Sequence, residues 1–247
     1  MKQEIRTDIP SHERLIVALD VDTRDEALRL VDKLGNEVSF YKVGLQLFMQ
    51  NGFPIVEAVA RRGKKVFLDL KINDTPRTVE RAVRLAVSAD VKLFTLQGNA
   101  ATSAAARSGR GDKEFPKFLQ VTFLSSWDAE DLKDFYDLPK NAQKVDMDEQ
   151  VIRRTEGIIA AGSDGVIASG TSVGKLRARN PNLLIVTPGI RPAGASSDDH
   201  KRSLTPAEAI LAGADYLVVG RPIRESSDPK ATAAGIQEEI GDALADS

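Results

Sequence analysis

Short apolar runs alternate along this chain with segments in which apolar residues recur at helical spacing. Apolar runs of this length, bounded by polar or glycine residues, are typical of strands that are buried on both faces. They predict strands at residues 15–19, 40–43, 66–70, 92–96, 118–124, 165–168, 183–187 and 216–219. The helical spacing predicts helices at residues 24–34, 54–62, 78–89 and 206–212, and Thr205 is a suitable N-cap for the last of these.

The alternation of strands and helices predicts parallel strands joined by helical crossovers. Eight such units in 247 residues match a (β/α)8 TIM barrel made of one domain, residues 1–247. A flavodoxin-like or other doubly wound open sheet has the same alternation, and the number of strands favours the barrel. Two stretches depart from the repeat. Residues 106–117 are polar and predict a surface loop, and residues 134–150 predict a loop with a partial helix.

Charged residues collect near the carboxyl ends of the predicted strands, where TIM barrels place their functional groups. The residues, in chain order, are Asp20, Lys42, Asp69, Lys71 and Asp74. Because alternate residues of a strand share a face, Asp69 and Lys71 are expected to point the same way. Charges near apolar walls are expected to be paired or to take part in chemistry. The amino ends of the strands show no matching cluster, so we expect these residues to meet at one mouth of the barrel.

The loops after the last two strands predict a phosphate site. Barrels often bind phosphate with backbone N–H groups at these loops, and arginine can hold a phosphate through two hydrogen bonds. Arg191 lies in the loop 189–203, and Gly220 and Arg221 follow the eighth strand. The loop is long and rich in small residues, so we expect it to close over a ligand as a lid.

The composition excludes several classes of function. A net charge of −2 gives no electrostatic footprint for nucleic acid. No apolar stretch approaches the ~20 residues of a membrane helix, and the amino-terminal sequence is neither a signal nor a transit peptide. The absence of cysteine excludes thiolate chemistry and suits a cytoplasmic location. The two histidines, His12 and His200, argue against a zinc site, while a Mg²⁺ site with oxygen ligands stays open.

Six segments together resemble the orotidine 5′-monophosphate decarboxylase family, from about Leu15 to the helix after Arg221. Related phosphosugar decarboxylases and aldolases share the D-x-K-x-x-D core. The D-T-P-x-T continuation and the G-I-R-P and V-V-G-R-P segments make the resemblance specific. The segments are residues 17–20, 40–44, 69–78, 121–126, 186–192 and 219–223.

The resemblance implies a cofactor-free homodimeric barrel that decarboxylates orotidine 5′-monophosphate to UMP in pyrimidine synthesis. It implies a charged tetrad of Lys42, Asp69, Lys71 and Asp74, in which Lys71 protonates C6 and Asp74 comes from the other subunit. It also implies substrate contacts. Asp20 and Thr78 match ribose contacts, with Thr78 acting across the interface; Ser125 matches the pyrimidine contact; Arg191, Gly220 and Arg221 match the phosphate grip; Thr75 and His200 complete the substrate-binding set.

Some positions depart from the family pattern. Asn73 stands where members often have His, and the segment 96–99 after the fourth strand lacks the His that members usually have there. Thr75 stands where they often have a branched apolar residue, and His200 aligns with a phosphate-loop Gln. Ser126 is an alternative to Ser125 at the pyrimidine. Two other functions stay open: a Mg²⁺-dependent 3-keto-gulonate-phosphate decarboxylase or hexulose-phosphate synthase, and a non-catalytic barrel that binds a nucleotide or phosphosugar.

Overall fold

The computed structural model describes residue 6 and residues 8–124, 126–137, 146–192 and 203–246. Within these ranges, eight parallel strands form a closed barrel in chain order. The strands are β1 Leu15–Ala18, β2 Phe40–Gly44, β3 Lys65–Ile72, β4 Leu93–Leu96, β5 Lys117–Val121, β6 Gly165–Ile167, β7 Leu184–Pro188 and β8 Tyr216–Val219. Since β8 pairs with β1, the predicted TIM barrel is confirmed and the open sheet is excluded.

Each strand is followed along the chain by at least one helix. The helices are α1 Arg24–Leu34, α2 Leu45–Asn51, α3 Phe53–Ala60, α4 Pro76–Ser88, α5 Ala100–Arg110, α6 Ala129–Phe135, α7 Met147–Ala160, α8 Ser172–Arg179, α9 Pro206–Leu211, α10 Arg221–Arg224 and α11 Pro229–Ala245. None of the helices in the described ranges combines the length and apolar character needed to cross a membrane.

Local sequence signals account for the helix ends that were predicted well. Helix α1 begins after Thr23, whose hydroxyl accepts the backbone N–H of Glu26, while the Glu26 carboxylate accepts the N–H of Thr23. This capping box satisfies two of the N–H groups that a helix start leaves without intrahelical partners. The helix ends at Gly35, which has a positive φ of 53°. Helix α9 has the same kind of box at Thr205 and Glu208.

The predicted surface loop at residues 106–117 is wrong in its first part, because α5 continues to Arg110. Small residues on α5 are buried and allow it to pack closely on α4. A Cβ atom on Gly109 would lie 2.4 Å from the carbonyl oxygen of Glu80 in α4. The glycine that indicated a loop therefore makes a close helix contact. The second predicted loop, 134–150, overlaps the end of α6 and the start of α7, and residues 138–145 lie outside the described ranges.

The hydrophobic core consists of two apolar layers. The inner layer fills the barrel itself, and the larger outer layer lies between the strands and the helices. The inner layer includes Ile16, Phe40, Phe67, Leu93, Leu119, Val186 and Val218. A packed barrel interior leaves room for a ligand only at its two ends.

Candidate active site

A cavity of about 430 Å³ opens at the carboxyl ends of the strands. Its apolar walls come from β1, β3, β5, β6, β7 and β8 and from the loop after β5. They are Ala18, Phe67, Val121, Phe123, Leu124, Ile167, Pro188 and Val218. Its polar lining consists of Asp20, Lys42, Asp69 and Lys71 from the first three strands and loops, Ser126, and Gly189, Arg191, Gly220, Arg221 and Arg224 after β7 and β8.

Four of the charged side chains alternate in sign and form a continuous chain of contacts. Asp20 Oδ1 lies 2.9 Å from Lys42 Nζ, and Lys42 Nζ lies 3.5 Å from Asp69 Oδ2. Asp69 Oδ1 accepts a hydrogen bond of 2.8 Å from Lys71 Nζ. Each inner charge therefore contacts two opposite charges. The side chain of Lys71 is 36% exposed, compared with 13% for Asp69, so Lys71 is the more accessible of the two from the cavity.

Asp69 stays ionised although it is buried. Burial by itself would raise the pKa of Asp69. The ammonium groups of Lys42 and Lys71, together with hydrogen bonds from Lys71 and Thr95, outweigh this effect and hold the pKa below its usual value. The arrangement can therefore present a fixed carboxylate beside a fixed ammonium at the bottom of an apolar-walled cavity.

Asp69 and Lys71 face the same cavity as predicted, but the backbone that places them is irregular. The pairing of β3 with β4 shifts register between Leu68 and Ile72. Lys71 has a positive φ of 50°, a conformation that non-glycine residues rarely adopt. Strand β3 also continues to Ile72, so both residues lie within the strand. Simple alternation of side chains therefore explains their shared direction only in part.

Gly44 leaves space for the contact between Asp20 and Lys42. A Cβ atom at Gly44 would lie 3.0 Å from Asp20 Oδ1 and 3.2 Å from Lys42 Nζ. A side chain here would require the carboxylate and the ammonium to shift by a few tenths of an ångström. The end of β2 is thus adapted to the ion pair that begins the chain of charges.

Three arginines line the cavity at the exits of β7 and β8, where the phosphate site was predicted. The backbone N–H of Arg191 donates to the carbonyl of Leu204, and its guanidinium donates to the carbonyl of Ile190 at 2.9 Å. Arg221 and Arg224 are three residues apart on α10, a spacing that places side chains on neighbouring positions of a helix surface. Sequence reasoning missed Arg224, although its spacing from Arg221 was a usable signal.

Other predicted site residues do not line this cavity. Asp74, Thr75 and Thr78 are exposed at the start of α4. They are held together there, since the Thr75 N–H donates to Asp74 Oδ1 at 2.6 Å and the two threonine hydroxyls lie 3.1 Å apart. Ser125 and His200 lie outside the described residues, as does 193–202 of the predicted lid; Ser126 lines the cavity.

The amino ends of the strands also carry charged residues, although no cluster matching that of the carboxyl ends was predicted there. A second cavity of about 530 Å³ lies there, with Lys65, Lys92 and Lys117 in its lining. The charges at this mouth form separate pairs, such as Lys65 with Glu13 at 2.6 Å. Within the described ranges, these charges do not form an alternating chain like that of the carboxyl-end cavity. Among the described residues, no group of three or more His, Cys, Asp or Glu is placed to hold a metal ion.

A TIM barrel with a charged cavity at its carboxyl end, beside arginines after β7 and β8, defines a class: barrel enzymes that act on phosphorylated substrates. Residues 13–236 match the orotidine 5′-phosphate decarboxylase / HUMPS family. The chain therefore belongs to the orotidine 5′-phosphate decarboxylase family, as the sequence resemblance predicted.

Relatives and solved structures agree with this assignment. Proteins named orotidine 5′-phosphate decarboxylase from Rhodopseudomonas palustris (strain BisB5) and Methylobacterium sp. (strain 4-46) are both 44% identical to this chain. The first alignment covers 96% of this chain and 99% of the relative; the second covers 94% and 97%. A crystal structure of orotidine 5′-phosphate decarboxylase from Lactobacillus acidophilus has a TM-score of 0.78 at 33% identity, covering 92% of this chain and 99% of that one.

Proposed function

We propose that decarboxylation of orotidine 5′-monophosphate to UMP, the reaction after which the family is named, takes place in the carboxyl-end cavity with Lys71 as the proton donor. The observation that carries this proposal is the chain of contacts from Asp20 through Lys42 and Asp69 to Lys71, set in apolar walls. The arginines after β7 and β8 supply the positive charge that a phosphate dianion requires.

The chemistry suits a fixed ammonium without a cofactor. Breaking the bond between C6 and the carboxylate releases CO₂ and leaves the electron pair on C6, where resonance gives little help. An ammonium held beside C6 stabilises the developing negative charge and then transfers a proton to it, which completes UMP. Lys71 is left neutral and regains a proton from solvent. The apolar walls strengthen the attraction between ammonium and carbanion, because the local dielectric constant is low.

The remaining charges hold Lys71 in place and act on the substrate carboxylate. Asp69 fixes the Lys71 ammonium through a hydrogen bond of 2.8 Å. A negative Asp69 beside the substrate carboxylate raises the energy of the bound ground state, a term that disappears as CO₂ leaves. Lys42 lies between Asp20 and Asp69 and its ammonium contacts both carboxylates. The phosphate contacts lie away from C6 and supply binding energy that organises the site.

We also propose that the active unit is a homodimer whose sites are shared, with Asp74 reaching the partner's cavity. Asp74 and Thr78 are exposed and do not line the cavity of their own chain. Thr78 shares a face of α4 with Leu85, which is 57% exposed. Leu45 and Met49 on α2, after the neighbouring strand, are also exposed apolar residues. Exposed apolar side chains rimmed by polar residues are typical of a surface that a partner covers.

The substrate contacts of the predicted set belong to the same proposal. Asp20 and Thr78 are assigned to the ribose hydroxyls, with Thr75 beside Thr78, and Ser125 or Ser126 to the pyrimidine. Arg191, Gly220, Arg221 and His200 are assigned to the phosphate, and Arg224 joins them because it lines the cavity. The family and the cysteine-free composition support a cytoplasmic enzyme of pyrimidine synthesis.

The test is loss of orotidine 5′-monophosphate absorbance, measured in EDTA for the wild type, Lys71→Ala and the control Lys65→Ala. Lys65 begins the same strand but lines the opposite mouth. We expect turnover by the wild type and Lys65→Ala, and a loss of about a thousand-fold or more in Lys71→Ala, because a charge aimed at the transition state is removed.

Turnover that requires added Mg²⁺ would favour the sister enzymes of the family, which use Mg²⁺ with the same D-x-K-x-x-D core. Binding of UMP without turnover of orotidine 5′-monophosphate would favour a non-catalytic barrel. Full activity in Lys71→Ala would contradict the assigned role of Lys71.

A further inference from the structure

Thr95 on β4 lies directly against the proposed catalytic pair but does not line the cavity. Its side chain is fully buried, at 0% exposure. Its hydroxyl makes two hydrogen bonds of 2.9 Å: it accepts the backbone N–H of Lys71 and donates to Asp69 Oδ1. One hydroxyl therefore links the backbone of the proposed proton donor to the carboxylate that fixes its ammonium.

The Lys71 N–H needs this partner because the strand pairing is interrupted there. Between Leu68 and Ile72 the regular register of β3 with β4 is lost, so the ladder does not continue through Lys71. A buried N–H without a partner is costly, and the positive φ of Lys71 is itself an unfavourable conformation. The Thr95 hydroxyl replaces the missing carbonyl and supports Lys71 in this conformation.

The hydrogen bond from the Lys71 N–H leaves the hydroxyl hydrogen of Thr95 available to donate to Asp69. A hydroxyl has one hydrogen to donate and can accept at its lone pairs. Since the Lys71 N–H occupies a lone pair of Thr95, the hydrogen is free to point at Asp69 Oδ1. That oxygen then accepts from both Thr95 and Lys71 Nζ, while Oδ2 lies 3.5 Å from Lys42 Nζ. The carboxylate is thus held on three sides.

We infer that Thr95 is a positioning residue for the decarboxylation: it sets the Lys71 ammonium and the Asp69 carboxylate at the distance and angle that proton transfer to C6 requires. The inference rests on the roles proposed above for Lys71 and Asp69. Thr95 acts through these two residues, since it does not reach the cavity. Its removal should therefore slow the chemical step more than it weakens substrate binding.

The first test compares Thr95→Val, which keeps the shape but lacks the hydroxyl, with Thr95→Ser, which keeps the hydroxyl. We expect Thr95→Val to lower kcat about ten- to a hundred-fold with little change in KM, because small displacements of reacting groups are costly. Affinity for UMP should stay within about two-fold, since the phosphate contacts are untouched. Thr95→Ser should keep most of kcat.

A matched control is Thr187→Val. Thr187 is also a buried strand threonine, next to the cavity-lining Pro188, and its hydroxyl has no hydrogen-bond partner among the described residues. This substitution exchanges the same groups without removing a contact, so kcat should stay at the wild-type value. If kcat falls as much in Thr187→Val as in Thr95→Val, the loss comes from replacing a buried threonine by valine and not from the lost hydrogen bonds of Thr95. That result would overturn the inference.

If Thr95→Val does not fold, the pair Thr95→Ser and Thr95→Ala provides the same comparison, because both lack the methyl group and only Ser has the hydroxyl. A kcat for Thr95→Ala equal to that of Thr95→Ser would overturn the inference. The same holds if Thr95→Val raises KM and leaves kcat unchanged. In either case, inactivity of Lys71→Ala would show that the proposed function stands without the role of Thr95, whereas activity of Lys71→Ala would refute the proposed function.

Discussion

At the scale of single residues, Asp69 is subject to two opposing influences on its charge. Its side chain is 13% exposed, so it has lost most of its contact with water. The ammonium groups of Lys42 and Lys71 compensate for the lost hydration of the carboxylate. As a result, the pKa of Asp69 is lower than usual. A lowered pKa means that the folded state holds the proton of Asp69 less tightly than the unfolded state does.

The sign of this difference predicts how stability depends on pH. The charged Asp69 contributes stability above the unfolded pKa of about 3.9, and this contribution is lost as pH falls through the lower folded pKa. We expect the difference in unfolding free energy between the wild type and Asp69→Asn to be constant at neutral pH and to shrink on acidification below about pH 4. Urea unfolding of both proteins at a series of pH values measures this difference.

Asp32→Asn is the control for this experiment. The pKa of Asp32 is also lowered, by a hydrogen bond from Arg62, but its side chain is 59% exposed. Salt at about 1 M should remove the contribution of Asp32, because screening is strong for exposed charges, and leave that of Asp69. A wild-type advantage over Asp69→Asn that grows at low pH would contradict the assigned pKa direction.

At the scale of elements, the contact between α4 and α5 positions the segment that carries Asp74 and Thr78, which are proposed to reach the partner's cavity. Gly109 lets the two helices approach so closely that no side chain fits at its position. Helix α4 carries Thr78 and begins just after Asp74. The position of these residues therefore depends on how α4 packs on α5, as well as on the sequence around them.

Gly109→Ala is expected to lower the free energy of unfolding by about 1–3 kcal/mol, because the added methyl group would clash with the Glu80 carbonyl. Gly157→Ala in α7 is the control, since it is an exposed helical glycine with open space around it. Alanine there should raise stability by about 0.5–1 kcal/mol. Urea unfolding measures both, and equal effects at the two positions would contradict the packing argument.

At the scale of the whole molecule, one chain does not complete the proposed site. Lys42, Asp69 and Lys71 meet in the cavity, whereas Asp74 lies on the exposed surface. In a symmetric dimer the same patch of both subunits meets itself, so each chain can give Asp74 to its partner and receive one in return. The dimer proposal therefore predicts complementation between chains.

Mixing Lys71→Ala chains with Asp74→Ala chains tests this directly. In the mixed dimer, one site carries both substitutions and the other carries neither. After full exchange, half of the dimers are mixed, so we expect about a quarter of the wild-type activity per chain. Lys71→Ala mixed with Asp69→Ala is the control, because both residues belong to the same chain's cavity and no intact site forms. Absence of recovery, despite proven subunit exchange, would refute the shared site.

The sequence by itself determined the barrel, the family and most of the charged residues of the site. Strands that are buried on both faces are continuous apolar runs, and this local pattern marked all eight strands. The motif around Asp69 and Lys71 is also local, because the elements that carry these residues are continuous in sequence. The placement of Lys42 near them followed from the rule that parallel strands end at one mouth.

Only the tertiary structure decided the contacts between positions far apart in the chain. Thr95 contacts Asp69 because β3 and β4 lose register after Leu68, and no pattern in either strand shows that shift. Gly109 is a packing residue because the carbonyl of Glu80 faces it, although its sequence neighbourhood suggested a loop. Periodicity reports which residues are buried. It carries no information about which distant atoms they meet, since this depends on register, on helix packing and, in the proposed dimer, on a second chain.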